Sequence, residues 1–124
     1  MMKLVLLGGL AMLGCASAAQ AQADAVAGQK QFGQCRACHA VSAAARDGLG
    51  PNLVGVVGAK AATRRPKFKY SPALKAAKLT WDDATLDRWL TDPAAVVPGT
   101  TMHFVGLPRK PVRANVIAYL KTLK

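Results

Sequence analysis

CRACHAV, residues 35–41, brings two thiols and an imidazole together within five consecutive positions. The chain of 124 residues has only three cysteines and two histidines, so its reactive side chains are concentrated here. A Cys-x-x-Cys pair serves three chemistries: a redox disulfide, a zinc site, or the covalent attachment of haem. Each of these requires different partners elsewhere in the chain. The rest of the sequence therefore decides what residues 35–41 do.

The first 23 residues have the pattern of an export signal. Lys3 provides the positive charge, residues 4–13 form an apolar run, and residues 21–23 end the segment with small side chains. The apolar run is shorter than the roughly 20 residues that a membrane-spanning helix needs. We therefore expect a soluble protein of the periplasm, in which a signal peptide, residues 1–23, has been removed from residues 24–124.

Residues 24–124 have the length of one domain and keep two of the cysteines. Without Lys3, 16 basic residues outnumber six aspartates, which gives a formal charge of +10. Such a charge attracts acidic partners. Export and the lack of a basic and aromatic recognition motif argue against nucleic acid, so an acidic protein surface or anionic membrane headgroups remain. Cys15 resembles a lipoprotein cleavage site only weakly, and its lipidation stays an alternative.

The hydrophobic periodicity predicts an all-α domain of three to five helices joined by long loops. No stretch has the alternation of a β-strand. Asp24 and Ser71 occupy positions typical of an N-cap. Thr80 begins a sequence that resembles a capping box, and Asp92-Pro93 ends the helix that follows. The predicted helices cover residues 24–34, 72–77, 80–91 and 111–124, with the apolar face of the last one packed on the first.

A long irregular stretch lies near the centre of the chain. Glycine and proline recur too often in residues 40–69 for long regular elements to form. A loop of about 30 residues is uncommon in a compact domain unless it serves a site or wraps around something. We expect a large, flat, apolar cofactor to supply the missing core.

This outline distinguishes the three chemistries of the Cys-x-x-Cys pair. A thioredoxin-like disulfide would follow a strand, and no strand is predicted. A structural zinc site needs four ligands, but His103 is the only further histidine, and residues 24–124 contain no third cysteine. Haem attachment needs the observed spacing, with thioethers at Cys35 and Cys38 and the imidazole of His39 on the iron. The sequence therefore favours haem.

This reasoning does not decide which residue binds the second axial position of the iron. A methionine there indicates an electron carrier, a second histidine indicates a low-potential carrier, and an open face indicates gas binding or peroxidase activity. Met102 is the only methionine outside the predicted signal peptide, in a turn-rich stretch. His103 is its neighbour and has the same reach, so the residues alone leave both as candidate ligands.

Short motifs spread over nearly all of residues 24–124 carry a resemblance to a known family. The chain resembles the class I c-type cytochromes with a single haem, near their mitochondrial and photosynthetic-bacterial branch. The motifs are Gly28-x-x-x-Phe32, Cys35-Arg36-Ala37-Cys38-His39, Gly50-Pro51-Asn52-Leu53, Tyr70-Ser71-Pro72-Ala73, Thr80-Trp81, Trp89-Leu90, Pro98-Gly99-Thr100-Thr101-Met102 and Ile117-Ala118-Tyr119-Leu120-Lys121.

The resemblance implies a class I cytochrome c fold wrapped around one covalently attached haem c. It makes His39 and Met102 the axial ligands of the iron. It also gives the Pro51 carbonyl the role of holding the other nitrogen of His39, which is a common way of orienting a metal-binding imidazole. By the same resemblance, Tyr70 and Trp81 bond a haem propionate.

Three further positions take expectations from the resemblance. Thr100 is expected to support the loop that carries Met102 by hydrogen bonding. Gly28 is expected where the two terminal helices cross. Trp89 departs from the family, since many relatives have a tyrosine near the methionine sulfur.

The function that the resemblance implies is electron transfer, without catalysis. We expect a monomer that carries single electrons through an exposed haem edge between larger complexes. Such partners include a quinol–cytochrome c oxidoreductase, a terminal oxidase, a photosynthetic reaction centre or a periplasmic dehydrogenase. One alternative is a dedicated partner or subunit of a single periplasmic dehydrogenase. A peroxidatic or gas-binding haem protein is a further alternative, which requires that Met102 leave the iron open.

Overall fold

The computed structural model describes Gly14 and residues 22–124. The predicted signal peptide lies almost wholly outside the described residues, as does Cys15. Within residues 22–124 the helices are α1 (Ala25–Gln31), a 3₁₀ helix (Phe32–Ala37), α2 (Pro72–Ala77), α3 (Asp83–Thr91), α4 (Pro93–Val96) and α5 (Lys110–Lys121).

The all-α class predicted from the sequence is confirmed. The only β-type pairing among residues 22–124 is an isolated antiparallel bridge between Lys60 and Thr80. None of the described helices combines the length and the hydropathy that a membrane span requires.

Side chains at the helix ends explain where several helices begin. Asp24 caps α1 by accepting hydrogen bonds from the N–H groups of Val26 and Ala27, and Ser71 caps α2 through the N–H of Leu74. Both caps agree with the sequence. The first helix differs from its prediction, because its α-helical part ends at Gln31 and the chain continues as the 3₁₀ helix.

The start of α3 was predicted wrongly. Thr80 does not cap this helix, because it lies in the bridge with Lys60 and is held in an extended segment. The N-cap is Asp82, which accepts a 2.8 Å hydrogen bond from the N–H of Thr85. Asp92 ends α3 as predicted, but its side chain also caps the short helix α4, which the sequence did not reveal.

The two terminal helices cross at Gly28. A Cβ atom at this position would overlap the backbone carbonyl of Asn115, so only glycine lets α1 and α5 approach this closely. Beside the crossing, the rings of Phe32 and Tyr119 lie with their centroids 5.3 Å apart. Arg36 extends over Phe32 and donates a 3.3 Å hydrogen bond to the hydroxyl of Tyr119. The crossing thus fixes one wall of the core.

Candidate functional site

A cavity of about 490 Å³ occupies the middle of the molecule. The 3₁₀ helix, α3, α5 and the central loop surround it, and the chain between α4 and α5, here called the Met102 segment (residues 97–109), closes another side. Its volume is in the range of cofactor sites in proteins. The apolar part of its lining includes Phe32, Leu53, Trp81, Leu86, Trp89 and Leu90.

Both thiols of residues 35–41 line this cavity. The 3₁₀ helix ends there in a tight turn, in which the N–H groups of Cys38 and His39 both donate to the carbonyl of Cys35, at 3.1 and 3.0 Å. This turn places Cys35, Cys38 and the imidazole of His39 on the same cavity. Burial, and secondarily the charge of Cys38, raises the pKa of the Cys35 thiol.

The imidazole of His39 is oriented by the loop that follows it. Its Nδ1 lies 2.7 Å from the carbonyl oxygen of Pro51. A carbonyl can only accept, so Nδ1 carries the proton and Nε2 has the free lone pair. Burial lowers the pKa of His39, against the opposing effect of this hydrogen bond. The histidine is therefore neutral and able to bind a metal.

Gly50 forms a cradle for the same ring. Its N–H donates a 2.9 Å hydrogen bond to the carbonyl of Cys38, which holds the loop against the Cys-x-x-Cys-His turn. A Cβ atom at Gly50 would overlap the imidazole of His39. The loop can therefore approach His39 closely enough for the Pro51 contact only because this residue is glycine.

Met102 lines the same cavity as His39. It is half-buried, and its N–H donates a 3.2 Å hydrogen bond to the side-chain oxygen of Thr100, the contact that was expected of Thr100. Thr100 is itself held by a 3.0 Å hydrogen bond from its N–H to the carbonyl of Val97. The rival residue His103 also borders the cavity, but it is exposed.

Tyr70 and Trp81 are both buried and border the cavity. The hydroxyl of Tyr70 accepts a 3.2 Å hydrogen bond from the N–H of Arg65, and burial raises the pKa of this phenol. Tyr70 therefore keeps its own proton as a donor. Trp81 packs edge to face on Trp89, with the ring centroids 5.1 Å apart.

The residues around the cavity fit a covalently attached haem. The two thiols, one neutral imidazole and one thioether border a single space whose walls are mainly apolar. Thioether formation and axial ligation of iron need these groups.

No protein-family model matches the chain, but many curated proteins are similar to it in sequence. Cytochrome c2 from Rhodomicrobium vannielii is 50% identical over 117 residues, covering 91% of this chain and 93% of that protein. Cytochrome c2 from Rhodoblastus acidophilus is 46% identical, with 82% and 94% covered. The solved structure of cytochrome cH from Methylobacterium extorquens has a TM-score of 0.76 at 48% identity, covering 80% of this chain and 98% of that one.

The chain belongs to the class I c-type cytochromes. The family and the fold that the motifs indicated are thereby confirmed. Members of this family carry one covalently attached haem c, and Cys35 and Cys38 have the spacing of its attachment motif. The cytochrome is accordingly an electron-transfer haem protein that exchanges electrons with other redox proteins, and not an enzyme.

The structure also brings to this site of the cytochrome residues that the sequence did not single out. Asp47 accepts hydrogen bonds from the N–H of Asn52 at 2.8 Å and from Nε of Arg65 at 2.7 Å. Buried Asn52 in turn donates to the carbonyls of Ser42 and Ala45, at 2.8 and 3.0 Å. This network fixes the loop that carries Pro51. The signal in the sequence was that no acid lies between Asp47 and Asp82, so Asp47 is the last acid before the basic residues 60–78.

Proposed function

We propose that this cytochrome holds its haem through thioethers at Cys35 and Cys38, with His39 and Met102 as the axial ligands of the iron. One observation carries the proposal: His39, with Nδ1 already bonded to Pro51, and Met102 border the same cavity as the two thiols. When bound, the haem supplies a redox couple that takes up and releases one electron.

The surrounding residues of the chain prepare the site for this exchange. The Pro51 carbonyl fixes the proton on Nδ1 of His39 and orients the ring, which strengthens it as a ligand. Burial, and not this hydrogen bond, favours the neutral imidazole. The thioether of Met102 favours the ferrous state and so raises the potential. Trp81 and Trp89 keep water from the cavity. With both axial positions taken by protein, no substrate reaches the metal.

We infer that electrons pass where the cavity opens to solvent. Leu49 borders the opening and is 85% exposed, and His103 beside Met102 is also exposed. A partner that covers this edge would come close enough for direct transfer. Suitable partners are a quinol–cytochrome c oxidoreductase, a terminal oxidase, a reaction centre or a periplasmic dehydrogenase. The cytochrome would act as a diffusing monomer in the periplasm after removal of residues 1–23.

The ligation is tested by Met102→Ala with His103→Ala as the matched control. We expect Met102→Ala to abolish the weak long-wavelength band that reports a methionine–iron bond, and to lower the potential, because the ferrous state loses its thioether. His103→Ala should leave both unchanged. An unchanged spectrum and potential in Met102→Ala, together with a changed spectrum in His103→Ala, would assign the second axial position to His103 instead.

The same variant tests the alternative chemistry. Peroxide turnover and binding of small gases should be negligible in the wild-type protein and appear in Met102→Ala, where one face of the iron is open. Equal peroxide turnover in both proteins would indicate that Met102 does not close the iron.

A further inference from the structure

Arg113 is a buried cation far from the charged surface. It lies on α5 with only 9% of its side chain exposed. Its Nε donates a 2.7 Å hydrogen bond to Oδ1 of Asp87 on α3. Its Nη1 donates to two backbone carbonyls, those of Leu107 at 2.9 Å and Pro108 at 3.1 Å. One guanidinium therefore joins α5, α3 and the C-terminal part of the Met102 segment.

The same part of the Met102 segment has a second attachment to α3. The N–H of Leu107 donates a 2.7 Å hydrogen bond to the carbonyl of Leu90. The preceding Gly106 has φ +100 and lies so close to the carbonyl of Thr91 that a Cβ atom would overlap it. The segment is therefore held against the end of α3. This attachment lies next to the two carbonyls that accept hydrogen bonds from Arg113.

The remainder of the Met102 segment has fewer contacts of this kind. Residues 101–109 contain no helix or strand, and Val105 is 94% exposed. Met102 is held locally by Thr100, and from there the chain reaches Leu107 across five residues. Between them lies Phe104, which is partly buried against the core and donates a 3.1 Å hydrogen bond from its N–H to the carbonyl of Met102. A shift of the anchor at Leu107 and Pro108 can therefore reach Met102 through this short stretch of chain.

We propose that Arg113 is a positioning residue that keeps Met102 in place over the iron by fastening the end of the Met102 segment to α3. The inference rests on the axial role of Met102 proposed above. The guanidinium is suited to this task because its fixed fork serves a carboxylate and two carbonyls at once, whereas a lysine ammonium cannot match that geometry.

Two variants of the haem-loaded protein test the role of Arg113. Arg113→Lys keeps the positive charge but loses the planar guanidinium with its fixed N–H donors. Asp87→Asn keeps Arg113 and its carbonyl contacts, and serves where Arg113→Lys does not fold. In each, we measure imidazole binding to the ferric iron and hydrogen exchange of the Leu107 amide. If the open form becomes about tenfold more populated, the apparent imidazole affinity rises about tenfold. The Leu107 amide should exchange faster.

Lys121→Met is the matched control. Lys121 also joins α5 to α3, through a 2.7 Å pair with Asp83, but among the described residues it makes no side-chain hydrogen bond or ion pair with the Met102 segment. Imidazole affinity and Leu107 exchange should stay at wild-type values in this variant. Equal changes in all three variants would overturn the proposal, because they would reflect general loosening of the fold.

The outcomes separate this inference from the proposed ligation. If the wild type has the methionine–iron band and both test variants bind imidazole as the wild type does, the role of Arg113 is wrong and the ligation stands. If the wild type lacks that band, the ligation by Met102 fails, and the positioning role of Arg113 fails with it.

Discussion

The imidazole of His39, the ligand proposed above, is oriented by residues that have no proposed contact with the iron. Pro51 fixes the proton on Nδ1, and Gly50 allows the close approach. The loop that carries both is held in turn by Asp47 and Asn52. A chain of single contacts therefore extends from a surface carboxylate to a nitrogen that faces the iron site.

The carboxyl group of Asp47 predicts that the stability of the fold depends on pH. The N–H of Asn52, and secondarily Arg65, lower the pKa of Asp47 below its ordinary value of 3.8. A depressed carboxyl pKa stabilises the fold above the unfolded value, and this contribution is lost as the pH falls from 3.8 through the folded-state pKa. We expect Asp47→Asn to be less stable by up to about 1 kcal/mol at neutral pH.

The measurement is denaturant unfolding of both proteins from neutral to acid pH. The difference in unfolding free energy between wild type and Asp47→Asn should shrink below pH 3.8. Other acid-sensitive groups act equally in both proteins and cancel in the difference. A difference that is independent of pH would mean that the charge of Asp47 contributes nothing.

Among the helices, α1 and α5 depend on each other most closely. Neither is long, and isolated helices of this length are marginal in water. Their stability comes from the crossing at Gly28 and from the aromatic pair beside it. The two terminal helices, of which α5 borders the cavity, therefore form only as a pair.

Gly28→Ala tests this dependence. The added Cβ meets the backbone carbonyl of Asn115, which cannot rotate away, so the helices must separate. We expect a loss of about 1–3 kcal/mol in the free energy of unfolding, the usual range for overpacking. Gly33→Ala is the control, because nothing lies within 4 Å of a Cβ there. Equal stability of the two variants would show that the crossing tolerates the extra atom.

The helix boundaries show what a sequence can predict. The caps at Asp24 and Ser71 are local, so neighbouring residues sufficed to find them. The cap of α3 was misplaced because the conformation of Thr80 depends on Lys60, which lies 20 positions earlier in the chain. Short-range patterns contain no information about that pairing.

The candidate site likewise contains residues that could be predicted from the sequence and residues that could not. Cys35, Cys38 and His39 are close in sequence, so haem attachment could be predicted from their spacing together with the lack of a predicted strand and of further zinc ligands. Met102 needed the family resemblance, since spacing left His103 as its equal. The partners of Arg113 could not be predicted, because which of 16 cations in residues 24–124 becomes buried is decided by the packing of α3, α5 and the Met102 segment.

Over the whole molecule, positive charge is largely unopposed. Three ion pairs occur among the described residues, and they engage Arg65, Arg113 and Lys121. Seven basic residues lie between Lys60 and Lys78 without an acid among them. The remaining cations are free to act at a distance on an approaching partner.

The charge predicts how electron transfer depends on salt. Transfer to an acidic protein partner should slow as the ionic strength rises, because the screening length shortens from about 10 Å at 0.1 M to about 3 Å at 1 M. Stopped-flow kinetics across this range measure the effect. A small uncharged reductant provides the control and should react at a rate that hardly changes. Rates with the protein partner that are equally insensitive would exclude steering by charge.

The crossing of α1 and α5 also brings together two parts of the chain that are far apart in sequence. The N–H of Asp24 donates a 2.8 Å hydrogen bond to the side chain of Asn115, across 91 positions of sequence. Closing a flexible loop of that length costs about 4 kcal/mol of chain entropy, apart from a constant. Once these two parts have met, the chain between them is a closed loop, and each further contact within it closes a loop of fewer residues. The entropy cost of ordering the central loop is therefore lower in a chain whose two ends have already met.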